Sequence, residues 1–62
     1  MEKVIHTLEM LAKEKSDGHF TIMKFTTDWA VALYTVDNQE DIERMYHGET
    51  LEMAVCKLIR NL

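Results

Sequence analysis

Three histidines and one cysteine are the residues of this chain best suited to bind a metal or transfer a proton. His6, His19, His47 and Cys56 lie in separate segments, and no two of them have the C-x-x-C or H-x-x-x-H spacing of metal ligands. A nucleophilic cysteine needs a base and oxyanion-binding donors, and the sequence indicates neither, so a buried, inert thiol is the simpler interpretation. We therefore expect no metal, no cofactor, no catalytic residue and no enzymatic activity.

An acidic segment lies in the second half of the chain. Asp37, Glu40, Asp41 and Glu43 are close in sequence, but they lack the glycine and the alternating ligands of a calcium loop. A solvated loop is the better interpretation.

The chain has 7 Lys and Arg against 11 Asp and Glu, for a net charge of −4. Because each phosphate contact needs a cation, we expect no binding to nucleic acid.

The 62 residues predict one small domain over 1–62. A domain of this size buries only roughly 60% of the surface of its unfolded chain, and a single Cys cannot form an intramolecular disulfide. A second subunit is then a natural source of stability, so we expect a homodimer.

No apolar run approaches the ~20 residues of a membrane span. A lone thiol, with no signal-peptide pattern around Glu2 and Lys3, favours the cytoplasm.

Two amphipathic helices are predicted to enclose the rest of the domain. The first runs from Glu2 to Lys15 and ends at Ser16-Asp17-Gly18. The second begins after Thr50, which we expect to be its N-cap, with Glu52 in the first turn. Each helix carries an apolar stripe, formed by Val4, Ile5, Leu8, Leu11 and Ala12 in the first and by Leu51, Ala54, Val55, Leu58, Ile59 and Leu62 in the second.

The stretch from His19 to Val36 predicts a β-hairpin with strands Phe20 to Thr26 and Trp29 to Val36. Thr27-Asp28 is not the Asn-Gly or Asp-Gly of a two-residue loop, so we expect a connection of roughly three to five residues. The register stays open, because a one-residue slip changes which faces of the two strands combine.

The face composition depends on that register. With Phe25 opposite Trp29, one face carries Met23, Phe25, Trp29, Val31 and Leu33, and the other carries Phe20, Ile22, Lys24, Ala30, Ala32 and Tyr34. In either register the second face is too apolar to lie in water. We expect the second helix or a partner chain to cover it.

Residues 42–47 fit either a helical turn or a third, edge strand. We favour a short strand near Arg44 to His47, since its charged residues suit a sheet edge. The predicted fold class is therefore α+β, in the order α-β-β-(β)-α, with an antiparallel two- or three-stranded sheet packed by two helices.

Exposed methionines indicate where a partner could bind. Met10 and Met53 fall near the polar sides of their helices at ~100° per residue, and exposed Met is common at adaptable binding surfaces. The possible interaction surface comprises Met10, Ile22, Ala32, Tyr34, Tyr46 and Met53.

Three short motifs are spread over the chain from Lys15 onward: Asp17-Gly18-His19-Phe20, Trp29-x-Val31, and Gly48-x-Thr50-x-x-x-Ala54-Val55-Cys56-Lys57. Together they resemble the small phage-associated "ABA sandwich" proteins, which are essentially uncharacterised. The resemblance implies an accessory protein of phage or prophage type that acts through protein–protein contacts.

The segment from Gly48 to Ala54 reads Gly-Glu-Thr-Leu-Glu-Met-Ala. It is similar to the strand-to-helix segment Gly-Asp-Thr-Leu-Glu-Glu-Ala of the HicB-type antitoxin domain. That resemblance implies, as an alternative, an antitoxin that binds a small toxin, and a small ligand-binding module is a further alternative. The element order is also that of double-stranded RNA-binding domains, but Glu49, Glu52 and Met53 replace their Lys-rich phosphate clamp.

Overall fold

The computed structural model describes residues 2–62. Its elements are α1 (Glu2–Lys15), β1 (Thr21–Lys24), β2 (Trp29–Ala32), α2 (Gln39–Glu43), β3 (Tyr46–Gly48) and α3 (Leu51–Arg60). The three strands form one antiparallel sheet in the order β1-β2-β3. The expected α+β class is confirmed. Residues 42–47 supply both a helical end and a strand, since α2 ends at Glu43 and β3 begins at Tyr46.

Local signals set the ends of the helices. Gly18 follows α1 with a φ of +97°, in the left-handed region that L side chains rarely adopt. Its N–H donates to the Ala12 carbonyl at 3.1 Å. Thr50 caps α3 as expected, because its Oγ1 accepts from the Met53 N–H at 3.1 Å. Asn38 caps α2 in the same way through the Asp41 N–H.

The hairpin register differs by one residue from the one considered above. Ile22 lies opposite Val31, and Lys24 lies opposite Trp29. Residues 25–28 connect the strands, and the Phe25 N–H donates to the Asp28 carbonyl at 2.7 Å. Because that hydrogen bond closes the loop, Phe25 belongs to the connection and does not pair with Trp29. The connection length agrees with the expectation.

The main core lies between one face of the sheet and the two long helices. Buried residues of α1, β2 and α3 form it: Leu8, Val31, Leu51, Ala54, Val55 and Leu58. Partly buried residues of the same sheet face pack against them, including Phe20, Ile22, Trp29, Leu33 and Tyr46. The one-residue shift therefore places Ile22 with Val31, on the face that meets the helices.

The opposite face of the sheet carries a second cluster. Ala30, Ala32 and Met45 are buried there, with Met23, Phe25, Tyr34, Val36 and Ile42 packed around them. Ile42 of α2 and Met45 lie on this face, whereas α3 packs on the opposite one. The expectation that α3 covers this face is wrong, and cover by a partner chain stays a prediction. Among residues 2–62, no helix is long and apolar enough to cross a bilayer.

Candidate functional site

An open cleft of about 420 Å³ lies between the β1–β2 connection and α2. We call it the loop cleft. Its walls are Phe25, Thr26, Thr27, Asp28, Gln39, Ile42, Glu43 and His47. The hairpin connection supplies one wall, α2 the other, and β3 contributes His47.

His47 is held by contacts on both ring nitrogens and on one face of the ring. Its Nδ1 lies 2.8 Å from Asp28 Oδ2, and its Nε2 lies 3.3 Å from the Ile42 carbonyl oxygen. The Phe25 ring stacks on the imidazole with centroids 5.9 Å apart and a 29° angle between planes. The β2–β3 register, with Ala30 opposite His47, brings this His beside the Asp that precedes β2.

This pair resembles the His–carboxylate half of a hydrolytic triad but lacks the rest. A catalytic base needs a nitrogen directed at a nucleophile. Each nitrogen of His47 instead lies within hydrogen-bond distance of an oxygen, that of the Asp28 carboxylate or that of the Ile42 carbonyl. Thr26 and Thr27 line the cleft, yet within residues 2–62 neither hydroxyl bonds to His47. The arrangement holds the hairpin connection against β3 and α2.

In residues 2–62, no group of three or more His, Cys, Asp or Glu side chains is arranged to hold an ion. His19 lies at a solvent-exposed turn, where its Nδ1 is 2.9 Å from Asp17 Oδ1. The hydrogen bond from His19 lowers the pKa of the Asp17 carboxyl. This contact shapes the turn after α1.

A second concave surface, of about 210 Å³, runs between the two long helices. We call it the helix groove. Its lining residues are Lys3, Val4 and Thr7 from α1 and Glu52, Val55, Cys56 and Ile59 from α3. Ile59 is 46% exposed although it belongs to the predicted apolar stripe of α3. Cys56 is also exposed and free, so the expectation of a buried thiol is wrong.

The residues predicted to form an interaction surface lie in different environments. Met10 and Met53 are 51% and 47% exposed, as their positions on the helices suggest. Ile22 and Tyr46 pack against the main core from the helix-facing side of the sheet. Ala32 and Tyr34 belong to the opposite face. Ala32 is 1% exposed, so it offers no surface to a partner.

Tyr34 has a structural role in the second cluster. Its hydroxyl donates to the Asp41 carbonyl at 2.7 Å, which fastens α2 to the segment that follows β2. Burial raises the pKa of the Tyr34 hydroxyl, and the charge of Asp41 adds to the effect. Asp41 also accepts from the Asp37 N–H at 3.0 Å. The acidic segment is therefore organised by its own turn and cap hydrogen bonds.

His47 and Cys56 stand out in the sequence as single residues, but neither concave surface can be recognised there. The loop cleft depends on the β2–β3 register, which brings His47 beside Asp28. The helix groove forms where α1 packs beside α3. The sequence signal that could have indicated it is the breadth of the apolar stripe on α3, which includes Ile59. Comparison with protein families, curated proteins and solved structures finds no match for this chain.

Proposed function

We propose that this chain is a non-enzymatic interaction protein that binds a protein partner through the helix groove. The observation that carries the proposal is a concave surface between the two helices in which Ile59 is exposed beside the half-buried Val4. Val55 is 5% exposed and Ile59 is 46% exposed, so the apolar stripe of α3 extends beyond the core it serves. Apolar surface of this kind, with charged residues beside it, is typical of binding sites.

The chemistry of the loop cleft supports a non-enzymatic role. His47 is held between Asp28 and the Ile42 carbonyl, and such a residue is available to a substrate only if those contacts break. The resemblance to phage-associated proteins supports an accessory role in a phage or prophage. An exposed, unpaired Cys56 suits a reducing compartment such as the cytoplasm.

The test compares two substitutions in α3, at side chains of nearly equal solvent exposure. Ile59→Glu places a charge in the groove, whereas Met53→Glu places one at a site that is 47% exposed and does not line it. Each variant carries an affinity tag and is expressed, together with an untagged copy of the chain, in the organism that encodes it. The proteins that stay bound to the tagged chain during purification are then identified. We expect a partner that the wild type and Met53→Glu retain and Ile59→Glu loses. Identical retention by all three would overturn the groove as the binding site.

A second candidate function is binding of a small organic cation in the loop cleft. Its volume of about 420 Å³ lies in the range of ligand pockets, ~300–1,000 Å³. Asp28 and Glu43 line it, and no Lys or Arg does. An amine with an apolar stem would meet two carboxylates and the Phe25 side chain.

Titration with spermidine or agmatine, followed by backbone NMR, tests this candidate. We expect shifts in residues 26–28 and at Glu43, reduced by Glu43→Gln, which leaves the His47–Asp28 pair intact. Unchanged spectra at millimolar amine would remove the loop cleft as a ligand site.

A further inference from the structure

The first strand of the sheet, β1, is an edge strand. In the order β1-β2-β3 it pairs with β2 alone, and beyond that ladder residues 21–24 form no other backbone hydrogen bond within residues 2–62. An open strand edge presents a row of N–H and carbonyl groups that match another extended strand. The outer side of β1 is therefore a surface whose partner is extended backbone.

The hydrogen bonds of the hairpin show which groups of β1 face outward. In an antiparallel pair, successive residues direct their N–H and carbonyl groups alternately towards the neighbouring strand and away from it. The Phe25 N–H donates to the Asp28 carbonyl, so Met23, two residues earlier, also faces β2. The backbone groups of Ile22 and Lys24 therefore point to the open edge.

The charged side chain of β1 does not guard this edge. Lysine on an edge strand is one of the devices that prevent the addition of another strand. The Lys24 ammonium instead lies 5.5 Å from the centroid of the Trp29 ring on β2, and it donates to the Phe25 carbonyl in the hairpin connection. The strand, Thr-Ile-Met-Lys, has no other charge and no proline. The edge is thus open to a second strand.

We infer that β1 pairs antiparallel with β1 of a second copy of this chain, related by a two-fold axis that passes beside Met23 perpendicular to the sheet. The two outward residues lie one on each side of Met23, so Ile22 pairs with Lys24 of the second copy and symmetry repeats the contact. A register centred on Ile22 or on Lys24 would pair one of them with a residue outside β1. The positions of the outward groups therefore select one register, and they make β1 complementary to itself.

The two sheets then form one continuous antiparallel sheet, with the helices of both copies on the same face. Met23 is half-buried and belongs to the second cluster, on the opposite face. In the dimer it lies against its own copy, which covers apolar surface on that face. The inference goes beyond the function proposed above, because no residue of β1 lines the helix groove.

Amide hydrogen exchange of the wild type, followed by NMR, tests which edge is used. The N–H groups of Ile22 and Lys24 are open in the monomer and bonded in the dimer. Raising the protein from about 50 µM to about 1 mM should therefore slow their exchange about twofold or more. The N–H of His47 is the control. The same alternation places it on the outer side of β3, so its exchange rate should stay constant.

Disulfide formation tests the register. Cys56→Ser removes the one native thiol, and Met23→Cys in that background should give a disulfide-linked dimer in a glutathione buffer. Opposed residues of this kind of pair have Cα atoms about 4.5 Å apart, within the reach of a disulfide. Thr21→Cys is the matched control on the same strand and face. Its symmetry copy would lie about 13 Å away along the strand, so it should cross-link about tenfold more slowly or less.

Three results would overturn the inference. The first is exchange of the Ile22 and Lys24 amides at an unchanged rate up to about 1 mM. The second is a dimer that protects the His47 N–H instead, which would place the interface on β3. The third is equal cross-linking of Met23→Cys and Thr21→Cys. A chain that stays monomeric but binds a different protein through the helix groove refutes the β1 dimer and leaves the proposed function standing. The exchange measurement uses the wild type, so it decides the question even if a cysteine variant does not fold.

Discussion

Replacing Gly48 by alanine is expected to destabilise the fold far more than an added methyl group usually does. Gly48 is the last residue of β3 and is buried. A Cβ there would lie 2.5 Å from the Ala54 nitrogen, 2.8 Å from the Met53 carbonyl carbon and 2.9 Å from the Met53 Cβ. These atoms belong to the first turn of α3, which the Thr50 cap holds in place. Because no flexible side-chain end can move aside, β3 and α3 must separate.

The cost follows from what that separation disturbs. Overpacking a well-packed site costs about 1–3 kcal/mol. A clash with helix backbone places Gly48→Ala at the upper end, about 3 kcal/mol, since Leu51 and Ala54 of the same turn are buried in the main core. A domain of 62 residues has a free energy of unfolding of only ~3–9 kcal/mol. The variant should therefore lose a large share of its stability.

Urea unfolding followed by far-ultraviolet circular dichroism measures this loss. With a slope of about 1 kcal/mol per molar urea, the midpoint should fall by about 3 M, or the variant should already be unfolded in water. All variants are compared at one low protein concentration, because self-association would add stability.

Gly18→Ala provides the matched control. Gly18 has a φ of +97°, and a Cβ there would meet nothing within 4 Å, so alanine adds only backbone strain of about 1–2 kcal/mol. Gly18→Asn should lose less stability than Gly18→Ala, because Asn adopts a positive φ more readily. A Gly48→Ala variant whose free energy of unfolding lies within about 0.5 kcal/mol of the wild-type value would refute the close approach of β3 to α3.

Three further changes probe other parts of the fold. Thr50→Ala removes the N-cap of α3 and should lower the free energy of unfolding by about 1 kcal/mol, whereas Thr50→Ser should retain it; equal urea midpoints would count against the cap. Leu58 is 1% exposed, so Leu58→Ala should cost about 2–5 kcal/mol and Leu58→Met less than about 1.5 kcal/mol, measured by thermal unfolding. Because the folded state raises the pKa of Tyr34 above its ordinary value of 10.0, its stabilisation is complete below that value and is lost as pH rises through the raised pKa. Tyr34→Phe should abolish this part of the alkaline destabilisation, and parallel pH curves for the two proteins between about pH 8 and 11 would contradict it.

The two long helices could be predicted because their signals are local. The apolar spacing in residues 2–15, the stop at Gly18 and the cap at Thr50 all act within a few residues. Neighbouring side chains and backbone groups determine each of them. The α+β class follows from these helices and the strand-rich hairpin between them.

The register of the hairpin could not be predicted from local pattern. Both strands are apolar on both faces, so a one-residue slip changes little in the pattern of burial. The choice depends on the loop hydrogen bond from Phe25 to Asp28 and on α2, which covers the second face. Ile42 of that short helix packs on the face that the sequence led us to expect under α3 or a partner chain.

The sequence alone thus determined the end helices, their caps, the hairpin and the net negative charge, because each depends on composition or on neighbours in the chain. Only the tertiary structure decided which face of the sheet meets the helices and which residues share a surface. His47 and Asp28 meet across 19 positions, and Lys3 and Glu52 come from opposite ends of the chain to line one groove. Such contacts depend on how elements pack, and a sequence pattern with a period of two or 3.6 residues carries no record of that packing.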